Sequence, residues 1–259
     1  MPRFAANLSM MFNEVEFADR FAAASDAGFA AVECLFPYTL SPERLAETLA
    51  RHDLTLALFN LAPGNWEAGD RGVASDPARF DELKASVDKG IDYALAAGAG
   101  RVHMMAGHAD SGDAAAVAAY RRALEHAAGR FAEHGIDVLV EPINSRSMPG
   151  YFLNDFALAE RLIAESGAPN ARLQYDIFHR QIMHGDVAMS FRRLLPVIGH
   201  VQIASVPSRH EPDGEELNYP FLFEMLDAAG YDGFVGCEYV PRATTSAGLG
   251  WFAPWRRAQ

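Results

Sequence analysis

Cysteine is nearly absent: the 259 residues contain two. Cys34 and Cys237 lie inside apolar runs and lack the spacing of a disulfide framework, so they read as buried thiols of a reducing compartment. No apolar run approaches the ~18 residues of a membrane-spanning helix, and no charged-then-apolar leader opens the chain. The expectation is therefore a cytoplasmic protein with no membrane partner. Basic residues are outnumbered, 22 Lys and Arg against 34 Asp and Glu, for a formal net charge of −12. Sequence-independent nucleic-acid binding relies on cations neutralising phosphates, so no nucleic-acid partner is expected. An anionic substrate would need local positive charge, which a divalent ion and a few arginines could supply. No Pro/Ser/Gly-rich linker or low-complexity block divides the chain, and one domain over residues 1–259 is expected.

Half of the residues are hydrophobic, and they fall into eight strand-like runs separated by helical stretches. The runs are Arg3 to Asn7, Ala30 to Cys34, Leu54 to Asn60, Arg101 to Met105, Asp137 to Glu141, Ala171 to Asp176, His200 to Ile203 and Phe234 to Glu238. Eight units in this length give about 32 residues each, which suits a strand, a helix and two short loops. Gly28, Gly98, Gly135, Gly167 and Gly230 stand where a helix must end before the next strand, and glycine takes the left-handed conformation that such an ending uses. The intervening runs, such as Phe80 to Ala97 and Ala114 to Glu133, repeat apolar residues at three and four, so the strands should be parallel. Eight parallel strands close into a (β/α)8 barrel. A doubly wound open sheet is the competing fold; it favours a glycine-rich loop after its first strand, where this chain has Asn7-Leu8-Ser9-Met10-Met11.

Four of the runs carry, at or next to their carboxyl ends, a residue able to ligate a metal: Glu141, Asp176, Gln202 and Glu238. A lone glutamate at a strand end is ordinarily just solvated. Four oxygen donors on consecutive strands, at the carboxyl ends where barrel enzymes keep their chemistry, form a hard set suited to Mg²⁺ or Mn²⁺ rather than to structural zinc.

The chain resembles the hydroxypyruvate isomerase family, within the xylose-isomerase-like (β/α)8 barrels. The resemblance runs nearly end to end, through RFAANLSMMF, GFAAVECLFPY, LFNLAPGNWEAGDRG, LVEPINSRSMPGYFL, QYDIFH, GHVQIASVPSRHEPDGEELNY, GFVGCEYVP and TTSAGLGW. It implies a metal-assisted isomerisation of the aldose-ketose type, with no nucleotide or organic cofactor, acting on a small anionic hydroxy-oxo acid such as hydroxypyruvate. It also implies that Glu141 and Glu238 bind the ion and serve as proton donor and acceptor, with Asp176 and Gln202 completing the ligands. The chemistry asks for such a pair: moving a carbonyl to the adjacent carbon takes a proton from one carbon and delivers it to its neighbour through an enediolate.

His179 stands where the family pattern has a substrate-contacting histidine, and a cap or loop contact is the other role open to it. Arg209 is a candidate for the substrate carboxylate, because a guanidinium offers a two-pronged fork; pairing with Glu211 is its alternative. The family pattern has glycine where this chain has Ser208, which bears on the shape of that loop. Asn60 and His103 are further candidates for substrate contact, and Glu33 for holding the ligands in place. His108 reads as a loop histidine. The stretch Ala62 to Gly72, with Trp66, Glu67 and Arg71, is either a lid or a rigid loop. Phe12, Phe36, Tyr38, Trp66 and Phe152 wall the pocket or simply pack.

Alternatives stay open at this point: isomerisation of the one-carbon-longer 2-oxotetronate, and ketose 3-epimerisation, against which Gln202 counts because epimerases place histidine there. From other classes come a metal-dependent endonuclease and a non-catalytic binding barrel. Apolar helix faces leave a homo-oligomer possible.

Overall fold

A computed structural model describes residues 1–256, so the last three residues of the expected 1–259 domain lie outside the described residues. Eight parallel strands close in chain order into a barrel: β1 (Arg3–Asn7), β2 (Ala31–Cys34), β3 (Thr55–Asn60), β4 (Arg101–His103), β5 (Asp137–Val140), β6 (Ala171–Asp176), β7 (Ile198–Ile203) and β8 (Phe234–Cys237), with β8 pairing back onto β1. The open sheet is excluded. Each strand is within two residues of its expected bounds. The differences at β5 and β8 matter, since Glu141 and Glu238 each stand one residue beyond the strand that carries them.

The helices form the outer ring: α1 (Phe17–Asp26), α2 (Pro42–Arg51), α3 (Phe80–Ala97), α4 (Ala114–Ala132), α5 (Phe156–Ser166), α6 (Ile177–Met183), α7 (Val187–Leu194), α8 (Tyr219–Ala228) and the short α9 (Thr245–Gly248). All five helix-ending glycines named from the sequence have positive φ, between 63° and 93°, and Gly98 and Gly167 are left-handed C-caps of α3 and α5. One departure from the simple repeat is the split of the sixth helix into α6 and α7. It follows from Gly185 and Asp186, at φ 59° and 48°, which no continuous right-handed helix accommodates.

Most apolar side chains, from Phe4 to Phe252, make one continuous core between barrel and helices. Inside the barrel a small cluster of Ala5, Ala31 and Ala57, backed by Phe234, is separate from it. Side chains alternate along a strand, so Asn7 and Glu33 share the inward faces of Ala5 and Ala31, one step nearer the carboxyl ends. The lumen thus turns from apolar to polar toward the mouth. There buried Glu33 accepts from Asn7 Nδ2 (2.9 Å) and Gln202 Nε2 (2.8 Å) and meets His200 Nε2 at 2.7 Å. Gly236 on β8 is part of this arrangement, because a Cβ there would run into the Glu33 carboxylate.

Candidate active site

A cavity of about 270 Å³ opens at the mouth, lined among others by Asn60, Trp66, Arg71, His103, Glu141, Ser147, His179, Arg209 and Glu238. β5 and β8 deliver Glu141 and Glu238 to its floor and β6 brings Asp176 beside them; ligand atoms of these three and of His179 all lie within 4.8 Å of one another. All four residues are buried. Asp176 Oδ1 accepts from the Phe178 amide (2.7 Å), which orients the carboxyl at the start of α6. Its Oδ2, like Glu141 Oε1, is buried without a hydrogen-bond partner among the described residues.

These carboxyls pay heavily for their position. Burial pushes the Glu141 carboxyl well above the usual range, and the neighbouring Glu238 and Asp176 push it further. Burial likewise raises Asp176, against the pull of Arg209, and lifts Glu238 to about 8 although Arg209 opposes it. Buried acceptors without donors, in a group of like charges, fit a divalent cation: it would complete their coordination and remove their repulsion. The donor set is carboxylate oxygen, which suits Mg²⁺ or Mn²⁺.

Gln202 contributes differently from the carboxylates. Its Nε2 must face Glu33, since a carboxylate only accepts, and its Oε1 therefore accepts from Gln174 Nε2 at 2.6 Å. The amide is held by both ends, with one lone pair of Oε1 still unclaimed. Two histidines are neutral here. Burial lowers His103 to about 3 and depresses His179 well below the imidazole range, with Arg209 and His103 adding to the effect. Both ring nitrogens of His103 are without hydrogen bonds among the described residues, and its Nδ1 stands 3.7 Å from Glu141. The Nδ1 of His179 faces the backbone N–H of Asn144 (3.3 Å) and its side-chain amide (2.6 Å). A backbone N–H can only donate, so Nδ1 accepts and Nε2 carries the proton. That Nε2–H lies 3.5 Å from Asp176 and 3.8 Å from Glu141, as a donor at the cavity floor rather than a lone pair for a metal. The structure thus places His179 beside the carboxylates and not in the helix-capping role left open for it.

Arg209 reaches the cavity from the loop after β7 with one arm of its fork engaged and its Nε buried without a partner among the described residues. Nη2 donates to Glu238 Oε2 at 2.7 Å and stands 3.9 Å from Asp176, while its guanidinium sits 4.9 Å from the Phe178 ring. The expected alternative partner, Glu211, instead accepts from the Arg242 amide. The glycine absent at Ser208 is not needed, because the left-handed residue at this point of the loop is Arg209, at φ 58°.

Of the proposed walls, Trp66 lines the cavity and Phe36 packs on it edge-on at 5.1 Å. Phe12, Tyr38 and Phe152 pack in or against the core. His108 pairs across a loop with Tyr151. Four contributors were not among the residues expected from the sequence. Gln174 and His200 stand two residues before Asp176 and Gln202, on the same inward faces, so strand alternation points to them. Asn144 and Ser147 lie in the loop after Glu141 and carry no such signal. Arg71 was noticed only as part of a loop.

The profile of the xylose isomerase-like TIM barrel family matches residues 21–255. A 2-oxo-tetronate isomerase of Cupriavidus necator is 53% identical over 98% of this chain and 99% of its own length. A hydroxypyruvate isomerase of Escherichia coli is 40% identical over 99% of this chain and all of its own. Among solved structures, one from Brucella melitensis described as an AP endonuclease, family 2, superposes with a TM-score of 0.97 at 49% identity, covering 99% of this chain and all of that one.

Proposed function

Since this chain belongs to the xylose isomerase-like TIM barrel family, we propose that it is an isomerase of a small 2-oxo acid carrying a hydroxyl on the next carbon, working by proton transfer between two glutamates. The carrying observation is the pairing of Glu141 and Glu238 on the floor of one cavity, both pushed toward protonation by burial. Two carboxyls so placed can take a proton from one carbon and return it to the next.

Glu141, Asp176, Glu238 and the free lone pair of Gln202 would hold the divalent ion. When bound, it supplies positive charge against the charge that develops on the enediolate oxygens. The protein residues carry out the proton traffic. One glutamate removes the proton from C3, and the C3 hydroxyl gives up its own as C3 becomes the carbonyl. The C2 oxygen gains a proton, and the other glutamate delivers a proton to C2. His179 Nε2–H and His103, both neutral, would donate to substrate oxygens without adding charge, and Asn60, the β3 partner of His103, lines the cavity beside it.

The family resemblance of the sequence points to hydroxypyruvate. The higher identity to the 2-oxo-tetronate isomerase, 53% against 40%, supports the four-carbon acid as first substrate and hydroxypyruvate as second. Both reactions move a proton from C3 to C2. An endonuclease would need a cationic face, and a net charge of −12 argues against one.

The test is turnover in deuterated buffer with each acid, with and without Mg²⁺ or Mn²⁺, and with Glu238→Gln. Metal-dependent turnover with solvent deuterium at C2, lost in the variant, is expected. Folded, metal-loaded protein that neither converts nor exchanges either acid would overturn the proposal.

A further inference from the structure

An acid that enters a cavity lined by Glu141 and Glu238, with Asp176 close by, needs a cation of its own. Two arginines line the cavity. Arg209 is ion-paired through Nη2 with Glu238 and close to Asp176, so its charge is already compensated by the acidic floor, although its Nε is buried without a partner among the described residues. Arg71 forms no ion pair among the described residues. Its guanidinium lies 3.7 Å from the Trp66 ring centre, and Nη1 donates to the carbonyls of Trp66 (3.1 Å) and Asp70 (2.7 Å). The contacts on the head group therefore fix its plane and one nitrogen. They leave the Nε and Nη2 edge unclaimed, the edge that binds a carboxylate through two parallel hydrogen bonds.

The backbone beneath is equally fixed. The Arg71 carbonyl accepts from Gly107, and the Gly72 amide donates to Pro63, at 3.1 and 3.0 Å. Gly72 sits at φ 108° against the Met105 carbonyl, where a Cβ would collide. Arg71 follows β3 and Arg209 follows β7, four strands apart in a closed ring of eight, so they approach from opposite sides. A substrate whose reacting carbons lie over the glutamates can extend its carboxylate toward Arg71 without crossing the acidic floor.

We infer that Arg71, rather than Arg209, is the carboxylate-binding residue of this site and sets its preference for 2-oxo acids over neutral ketoses. This rests on the isomerase reading above, with the acid end of the substrate as the added element. A carboxylate held on a preorganised guanidinium strengthens binding at little ordering cost.

The experiment compares each acid with the ketose in which CH₂OH replaces the carboxylate: 2-oxotetronate with erythrulose, and hydroxypyruvate with dihydroxyacetone. Wild type, Arg71→Gln and Arg71→Lys are assayed with metal present, and 2-oxotetronate binding is followed by calorimetry. In Arg71→Gln the acid-to-ketose ratio of kcat/KM is expected to fall roughly 10- to 100-fold, the range of a lost charged hydrogen bond, chiefly through KM. Arg71→Lys should recover part of that ratio, which shows that charge rather than fold was lost. Equal losses on acid and ketose, or an undiminished acid preference, would overturn the inference. If wild type binds the acid through Arg71 yet turns nothing over, the isomerase reading fails and the subsite stands; if wild type does not bind the acid, both fail.

Discussion

Asn144 decides which nitrogen of His179 carries the proton. Its backbone N–H and side-chain amide both face Nδ1, so Nε2–H is turned toward Asp176 and Glu141. In the proposed reaction that hydrogen meets a substrate oxygen. Asn144→Asp places an acceptor where a donor stood and should draw the proton to Nδ1. The expected result is a loss in kcat of about 10- to 100-fold, the usual cost of removing a group that orients a reacting side chain, with a smaller change in KM. Nitrogen-15 shifts of the His179 ring report the tautomer directly. An unchanged tautomer together with an unchanged kcat would refute the assignment.

Glu141 and Glu238 hold their positions at the expense of stability. Replacing Glu141 by Gln keeps the shape and removes one of three buried acidic groups that repel one another when ionised. Turnover should fall by a factor of roughly 100 to 10,000, the contribution of a positioned acid or base. The metal-free fold, in contrast, should gain about 1 kcal/mol, as active-site replacements can when they relieve functional strain. Thermal melting at pH 8 in chelator and steady-state kinetics with metal give the two numbers. A variant that is both less active and less stable would mean that Glu141 serves the fold.

The barrel was legible because its signals are local. Short apolar runs, three-and-four repeats and helix-ending glycines each depend on a few neighbouring residues, and β1, β6 and α3 have their expected bounds. The carboxylates at the strand ends were legible for the same reason, since a strand fixes where its last residue points. Arg71 and Asn144 were not. Their roles arise from contacts across loops, Arg71 with Trp66 and Asn144 with His179 35 positions away, and no periodicity carries such a contact. The engagement of Arg209 by Glu238 was hidden likewise, being a pairing between loops after different strands.

The loop between Ala62 and Gly72 was open to being a lid. Its C-terminal half is anchored instead: Arg79 grips Asp70 through both terminal nitrogens, at 2.8 and 2.7 Å, and Gly72 bridges to Ala106. Gly72→Ala combines a φ of 108° with a collision against the Met105 carbonyl. It should cost about 2 kcal/mol or more and raise KM for acids through displaced Arg71. Hydrogen exchange checks the wild-type premise, with the amides of Gly72 and Gly107 expected among the protected ones. Rapid exchange at both would restore the mobile lid.

Metal binding and pH should be linked through the floor carboxyls. A carboxyl raised from its ordinary value of 4.5 to about 8, as Glu238 is, holds its proton more tightly in the folded, metal-free protein than in the unfolded chain. The stability this confers is complete below about pH 4.5 and is lost as pH rises through about 8. A divalent ion needs the ionised form, so its binding releases protons and strengthens over the same interval. Between pH 5.5 and 8.5 the melting temperature in chelator should therefore fall further than that in Mn²⁺, and the increment due to Mn²⁺ should grow. An ion at a hundred times its Kd adds about 2.7 kcal/mol, a shift readily seen by calorimetry. In Glu238→Gln the pH dependence of that increment should flatten, because one of the protons to be displaced is gone. If the increment is the same at both pH values in wild type, the buried carboxyls are not the ligands.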